Sequence, residues 1–214
     1  MSPKFSIIMP HYDGVITDEL FIEGMDSIES QTFKDFEVLI YHDGPLSRPL
    51  PDLSKYTFDY KFRETKTRYN DWGHSLRDLG IKEATGEYIV HFNPDNILYE
   101  NSLQAIYENE TLSVRGTTVS FDILICPIHM EGMVRTGEYV MRTYDPKHLA
   151  TLTGAPTMLY NIDCMQLVMK RSLWLKYGGW YDKSETSDGV MYSRFVGENK
   201  SKTRYISEFI GLHR

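Results

Sequence analysis

Short apolar runs alternate with helix-like segments through the first 126 residues, and this alternation most constrains the fold. Buried strands are predicted at 5–9 and 36–41, and further strands at 57–62, 87–92 and 119–126. Helices are predicted from Thr17, where that side chain and the acids after it suit a helix start, and over 71–84 and 102–109. Gly86 is predicted to close the second helix in the left-handed conformation. The pattern favours an α/β fold with a mainly parallel sheet flanked by helices.

The alternation of strand-like and helix-like segments becomes less regular beyond Pro127. Residues 128–144 suit a hairpin or a mobile flap, and 151–160 suit a loop interrupted by Gly and Pro. Strands are predicted at 164–170 and 205–209, and helices at 172–177 and 188–196. Because neither a linker nor an internal repeat occurs, we expect one domain over 1–214, with a regular half at 1–100 and an irregular half at 101–214. The final Arg214 allows this domain to be part of a longer chain.

Composition excludes several classes of function. The sequence has 30 acidic and 23 basic residues, a formal charge of −7, which disfavours a broad nucleic-acid-binding surface but not a local phosphate pocket. Cys126 and Cys164 form no CxxC pair and lie in apolar segments, as buried free thiols of a reducing compartment do. No signal peptide or membrane-spanning stretch is predicted, so we expect a cytoplasmic protein.

Polar residues that follow the predicted strands are the candidates for chemistry, since GxxxxGK[ST], GxGxxG, GxSxG and HExxH motifs are all missing. Ligands of parallel sheets bind at the carboxyl ends of strands, where Asp43 and Asp95 are expected. Oxygens of Asn93 and Asp95 suit Mg²⁺ or Mn²⁺ on a diphosphate, although Asn-Pro-Asp is also common in turns. Asp43 could accept a hydrogen bond from a base or a ribose, or simply belong to a turn.

The remaining candidates also have two interpretations each. Asp188 could be a general base or, with Ser187, a helix cap. His213 could complete a carboxylate metal site or be structural. A basic group could face a diphosphate or solvent, and an aromatic group could stack on a base or pack in the core. The basic residues are Lys66, Arg68 and Arg77, and the aromatic residues are Tyr12, Tyr69 and Trp72.

Several short motifs occur along the chain in the same order as in a known family of proteins. They lie at 6–13 (SIIMPHYD), 27–33 (SIESQTF), 42–45 (HDGP), 77–89 (RDLGIKEATGEYI), 93–95 (NPD), 178–180 (GGW) and 187–188 (SD). Together they resemble family 2 glycosyltransferases of the GT-A fold, densely over 5–100 and sparsely over 154–213.

The resemblance implies an inverting enzyme that moves a sugar from a UDP- or dTDP-sugar to a hydroxyl of a glycan or saccharide, with Mn²⁺ or Mg²⁺. Residues 1–100 would bind the nucleotide and 101–214 the acceptor, for which 158–163, including Asp163, and the 128–148 flap are candidates. Asp188 would be the general base, and Asp95 and His213 would bind the metal. The donor would contact Pro10, His11, Tyr12, Asp43, Arg77, Asn93 and Asp95.

Four departures from the family pattern leave alternatives open. His42, Pro45, Asn93 and Ser187 replace the usual residues, which predicts weaker metal affinity or a less acidic base site. A nucleotide-sugar-binding domain with weak or no transfer is therefore the second hypothesis. Nucleotidyl transfer ranks third, because a basic, glycine-rich loop does not follow the first strand. The glycosyltransferase hypothesis expects the carboxylates of Asp43, Asp95 and Asp188 around one cleft.

Overall fold

The computed structural model describes residues 2–136 and 139–214. Strands β1 to β15, in chain order, are Phe5–His11, Phe36–His42, Asp59–Glu64, Tyr88–His91, Ile97–Leu98, Thr111–Val114, Thr117–Ser120, Ile123–Ile125, Ile128–Glu131, Met133–Thr136, Tyr139–Arg142, Leu149–Leu152, Leu167–Lys170, Thr203–Tyr205 and Gly211–His213. Helices α1 to α5 are Asp18–Glu29, His74–Glu83, Ser102–Asn109, Arg171–Lys176 and Ser187–Glu198. Short 3₁₀ turns cover Cys164–Gln166 and Lys200–Lys202.

A mixed sheet with strand order β14-β8-β13-β4-β1-β2-β3 forms the centre of the fold. Strands β4, β1, β2 and β3 are mutually parallel, whereas β13 is antiparallel to both β4 and β8. The predicted α/β class with a mainly parallel sheet is confirmed. A smaller sheet, β12-β9-β15-β5, joins β5 of the first half to three strands of the second half and brings the last strand beside the segment after β4.

The inner strands β1, β2 and β4 are buried along their whole length because both faces of the sheet are covered there, whereas the edge strand β3 is polar and partly exposed. Along β1, Ile7 and Met9 pack in a cluster that contains Phe21 of α1. Ile8 points the other way, into a cluster with Leu76 of α2 and Trp174 of α4. The continuous apolar runs in the sequence therefore correspond to strands buried between two layers.

Several predicted boundaries differ from the structure because tertiary contacts set them. Helix α2 begins at His74 rather than residue 71, since Trp72 and Gly73 adopt left-handed backbone conformations. The strand predicted at 119–126 is divided into β7 and β8, and the one predicted at 205–209 lies between β14 and β15. The predicted hairpin after 128 is present as β10 and β11, while Gly137 and Glu138 lie outside the described residues.

Within the two described ranges, no helix combines the length and the apolar character that crossing a bilayer requires.

Gly86 is not the left-handed helix cap that the sequence predicts. Helix α2 ends at Glu83, Ala84 follows as its C-cap, and Gly86 has no left-handed φ. A Cβ on Gly86 would lie only 2.6 Å from the backbone nitrogen of Ser6. The glycine is required because the chain after α2 passes directly against β1, where a side chain does not fit.

We therefore expect Gly86→Ala to lower the free energy of unfolding by about 2 kcal/mol, since backbone must move to admit the methyl group. Urea denaturation of the purified chain measures the change. Gly197→Ala is the matched control, because a Cβ there meets no described atom within 4 Å and the exposed site is helical. The control should gain up to about 1 kcal/mol. Equal stability of Gly86→Ala and the unchanged chain would contradict the steric argument.

Candidate functional site

A cavity of about 450 Å³ lies beyond the carboxyl ends of β1, β2 and β4. Its volume is in the range of small-molecule and cofactor sites. The residues that line it are Pro10, His11, Tyr12, Val15, Ile16, Asp43, Arg68, Asn70, Trp72, Gly73, Leu76, Asn93, Pro94 and Asp95. Except for Arg77, every residue predicted to contact the donor lines this one cavity, although the sequence separates them by up to 85 positions. Their roles in binding stay predictions.

The Asp43 carboxylate organises one wall of this cavity. Its Oδ1 accepts a hydrogen bond from the backbone amide of Tyr69 at 2.7 Å, and its Oδ2 accepts one from Asn70 at 3.0 Å. The guanidinium of Arg68 lies 3.6 Å from the same Oδ2. Asp43 thus anchors the loop before α2 and holds Arg68 and Asn70 at the cavity.

Tyr12 and Arg68 form a stacked pair on the same wall. The guanidinium carbon of Arg68 lies 3.7 Å from the centre of the Tyr12 ring, and Nη1 donates a hydrogen bond to the Tyr12 hydroxyl at 3.0 Å. This cation–π contact holds a positive charge at the cavity, where it can meet an anionic or aromatic ligand group. Lys66 and Tyr69 are not among the described residues that line the cavity.

Two buried histidines, His11 and His42, are the last residues of β1 and β2, and His11 lines the cavity. Burial lowers the pKa of His11 to about 4, so its imidazole is neutral at pH 7. The His11 ring packs 4.6 Å from the Phe21 ring and 5.2 Å from the His42 ring, measured between centroids. His42 is buried and stands where the family pattern has a carboxylate. Its Nδ1 lies at hydrogen-bond distance, 2.7 Å, from the Gly44 carbonyl oxygen, and its Nε2 accepts a hydrogen bond from the Asp13 backbone amide at 3.3 Å. His42 therefore shapes the turn after β2.

Arg77 is joined to two cavity-lining residues from behind. Its Nη1 donates to the Trp72 carbonyl at 2.8 Å, and its Nη2 donates to the Asn93 side-chain oxygen at 2.6 Å. The side chain is buried, and no carboxylate of the described residues lies within the 4 Å of an ion pair with it. A buried guanidinium is stabilised by a negative partner. The charge of Arg77 therefore favours an anionic ligand in this region.

Asp95 lies in the turn after β4 and lines the same cavity. Burial raises the pKa of its carboxyl, and the charge of His213 acts in the opposite direction. His213 Nε2 lies 3.4 Å from Asp163 Oδ2, and Asp163 also accepts a hydrogen bond from the Met165 amide at 2.9 Å. Strand β15 brings His213 to this place by pairing with β5 and β9.

The side chains near Asp95 and His213 supply only some of the ligands that a hard divalent cation requires. Carboxylate and imidazole groups are ligands that Mn²⁺ accepts. Across residues 2–136 and 139–214, however, no three His, Cys, Asp or Glu side chains are grouped as a ready metal site. A cation held by Asp95 and His213 would need its remaining ligands from a bound molecule, such as the oxygens of a diphosphate.

Asp188 lines a different cavity, of about 330 Å³. The expectation that Asp43, Asp95 and Asp188 surround one cleft is therefore wrong for Asp188, since only the other two line the first cavity. The second cavity is lined by Leu159, Tyr160, Ile162, Glu185, Thr186 and Asp188. Burial raises the pKa of Asp188 to about 6, and the negative charge of Asp163 acts in the same direction. The charge of Asp163 also raises the pKa of Asp95, so it acts on one acid of each cavity.

Ser187, which stands where the family has an acidic residue, joins α5 to the core. Its hydroxyl accepts a hydrogen bond from Trp180 Nε1 at 3.2 Å and lies 3.2 Å from His74 Nε2. Asp188 Oδ1 accepts from the adjacent Gly189 amide at 2.7 Å. Ser187 therefore does not cap α5. Its hydroxyl instead makes a tertiary contact that connects the first turns of α2 and α5.

Sequence reasoning missed the buried histidines of this region. His74 stacks on Trp180, with 5.3 Å between ring centroids, and the His91 ring meets Trp174 and Trp180 edge-on. Neither ring nitrogen of His91 has a hydrogen-bond partner in the described part of the chain, and burial holds its pKa well below the usual value. A lone histidine in an apolar run carries no signal for such packing, so only the structure finds it.

Comparison with known families identifies the class of this chain. The profile of "Glycosyl transferase family 2" matches residues 6–174, which is most of the sequence. An uncharacterised glycosyltransferase of Rickettsia felis is 33% identical over 105 residues, 47% of this chain and 16% of that protein. The uncharacterised glycosyltransferase EpsJ of Bacillus subtilis is 29% identical over 154 residues, 70% of this chain and 39% of that protein. The cholesterol galactosyltransferase of Borreliella burgdorferi is 29% identical over 49% of this chain and 28% of its own length.

The fold is similar to that of solved structures. S. aureus TarS superposes with a TM-score of 0.64 at 17% identity, over 98% of this chain and 36% of the TarS chain. Residues 1–349 of TarS in complex with UDP-GlcNAc superpose with a TM-score of 0.62 at 14% identity, over 98% of this chain and 58% of that one. This chain therefore spans between 16% and 58% of the length of these relatives and solved structures.

Proposed function

Because the chain belongs to glycosyl transferase family 2, we propose that it transfers a sugar from a UDP- or dTDP-sugar to a hydroxyl group of a saccharide or glycan, with inversion. The observation that carries the proposal is the 450 Å³ cavity, at which the predicted donor residues meet. The UDP and UDP-GlcNAc complexes of the similarly folded TarS support a uridine nucleotide.

In the proposed complex, Pro10, His11, Tyr12 and Asp43 hold the nucleoside side of the donor. The Asn93 amide faces the diphosphate, and the buried guanidinium of Arg77 orients this amide from behind and adds positive charge to the region. Asp95 and His213 would hold Mn²⁺ or Mg²⁺ together with diphosphate oxygens. When bound, such a cation supplies neutralisation of the charge on the leaving diphosphate.

Asp188 is proposed as the general base. It takes the proton of the acceptor hydroxyl while that oxygen bonds to the anomeric carbon, and the bond from this carbon to the donor phosphate oxygen breaks. A carboxyl with a pKa of about 6 is mostly ionised at pH 7 and is a stronger base than an ordinary aspartate. The acceptor would lie against the second cavity, near Asp163 and the 158–163 loop.

Thermal unfolding with nucleotide sugars tests the proposal. With UDP- or dTDP-sugars and Mn²⁺ at about 100 times Kd, we expect stabilisation by about 2.7 kcal/mol, a rise in Tm of about 5–10 °C. GDP- and ADP-sugars serve as matched controls and should give smaller shifts. A Tm that no UDP- or dTDP-sugar raises would contradict the assignment.

A nucleotide-sugar-binding domain with weak or no transfer is the second candidate. It is favoured by the Asn93 oxygen, which Arg77 engages, and by the Ser187 hydroxyl, which Trp180 and His74 engage. A transfer assay with radiolabelled donor and a panel of saccharides separates the two functions. Slow donor hydrolysis without any transfer would support this second candidate.

A further inference from the structure

Trp72 presents an exposed indole at the donor cavity. It lines the cavity, and 65% of its surface is exposed, while Trp174 and Trp180 are fully buried. These are the three tryptophans of the sequence. A large apolar side chain left exposed at a cavity is a common feature of ligand-binding surfaces.

The backbone that carries this indole is strained and held in place. Asn70 and Trp72 both have φ of 55°, and Gly73 has φ of 79°. Such a conformation is unfavourable for a bulky residue and persists only where neighbouring contacts impose it. Arg77 imposes it here by donating to the Trp72 carbonyl at 2.8 Å. A Cβ on Gly73 would lie 2.7 Å from Pro10 Cβ, so the loop also passes close to β1.

Trp72 lies on the side of the cavity that leads toward Asp188. Its ring centroid is 6.2 Å from that of His74, and His74 Nε2 is 3.2 Å from the hydroxyl of Ser187, the neighbour of Asp188. The Tyr12–Arg68 pair and Asp43 line the same cavity. A donor whose base contacts that pair, and whose anomeric carbon faces the proposed base Asp188, would have its sugar beside Trp72.

We propose that Trp72 stacks against the sugar ring of the donor and contributes to the choice of sugar. This proposal depends on the proposed function, because it needs a nucleotide sugar in the cavity. The C–H face of a pyranose is apolar and weakly positive, so it complements the negative face of an indole. The fixed backbone holds the indole ready, so that little conformational freedom is lost on binding.

Acrylamide quenching of tryptophan fluorescence tests this contact directly, because the quencher reaches the exposed Trp72 far more readily than the two buried indoles. The probes are UDP, UDP-GlcNAc, UDP-glucose and UDP-galactose, each saturating and with Mn²⁺. We expect at least one UDP-sugar to lower the quenching constant by about half, and UDP alone to change it little. Protection by UDP equal to that by every UDP-sugar would place the nucleotide on Trp72 and overturn the proposal.

Binding of substituted chains supplies the second measurement. By calorimetry, Trp72→Ala should weaken binding of the protecting UDP-sugar about five- to tenfold and leave UDP binding unchanged, while Trp72→Phe restores most of the affinity. Equal UDP-sugar affinity in Trp72→Ala and the unchanged chain would overturn the proposal. UDP binding without sugar-dependent protection contradicts only the stacking proposal, whereas failure of UDP, all three UDP-sugars and dTDP-glucose to bind contradicts the proposed function as well. Because the indole is exposed, an unchanged Tm verifies that each variant folds.

Discussion

Replacing Asp188 with Asn is expected to lower turnover by about 10²–10⁴-fold, the usual contribution of a general base, with little change in donor affinity. The amide retains the size of the side chain but cannot accept the proton of the acceptor hydroxyl. Steady-state kinetics with varied donor and acceptor, together with calorimetry of donor binding, measure the two effects separately. Near-complete retention of turnover would show that Asp188 is not the base.

Glu185→Gln is the matched control for that experiment. Glu185 lines the same cavity as Asp188 but is exposed, so its substitution removes a negative charge there without touching the proposed base. Turnover within about threefold of the unchanged chain is expected, since a solvent-screened charge contributes little. A loss as large as that of Asp188→Asn would indicate that the cavity requires negative charge in general.

The raised pKa of Asp188 predicts the pH dependence of the rate. With a pKa of about 6, the carboxylate is protonated and inactive as a base at lower pH. Turnover should therefore increase about tenfold per pH unit up to about pH 6 and then level off. The residual activity of Asp188→Asn should lack this acidic limb. A limb that persists in the variant would assign it to another group.

The same pKa makes Asp188 a source of instability at neutral pH. Native Asp188 keeps its proton up to about pH 6, whereas in the unfolded chain it ionises near its ordinary value of 3.8. Because the native state binds more protons between these values, stability decreases as pH increases through that window. Asp188→Asn removes the penalty and should stabilise the chain at pH 7 by on the order of 2 kcal/mol, measured by urea denaturation. Loss of turnover in a more stable chain could not be attributed to unfolding.

Replacing Asp95 with Ala is expected to abolish the effect of Mn²⁺ on donor binding. For the unchanged chain, calorimetry with a UDP-sugar should show affinity about 10²-fold or more higher with Mn²⁺ than with EDTA. Without the carboxylate, the two titrations should agree, because the cation loses its principal protein ligand. Unchanged dependence on Mn²⁺ in the variant would contradict the assignment.

Asp163→Asn provides the comparison for Asp95. Asp163 lies next to His213 and caps the 3₁₀ turn that follows it, so the amide should perturb the region without removing the proposed ligand. Donor binding that still depends on Mn²⁺ is expected, with affinity reduced by about tenfold or less, as for groups that orient a ligand. Complete loss of the dependence would instead make Asp163 a ligand.

Local patterns in the sequence were sufficient for the strands that carry the donor cavity. The apolar runs of β1 and β2 indicated strands buried on both faces, and that of β4 indicated a further strand. The polar residues directly after these strands could be located without a structure. Parallel pairing brings the carboxyl ends of these strands to one edge, so Tyr12, Asp43 and Asp95 meet there. The pattern of apolar and polar residues along each strand thus determined both the α/β class and the place of the cavity.

Tertiary structure alone decided how that edge is completed. The left-handed backbone of Trp72 depends on Arg77, and the position of His213 depends on pairing between β15 and β9. Asp188 lies in its own cavity because α5 is joined through Ser187 to His74 and Trp180. Each of these contacts connects side chains or backbone whose partners are chosen by packing, and the periodicity of a single segment contains no information about them. Strand propensity is local, whereas the geometry of a binding site depends on which segments meet.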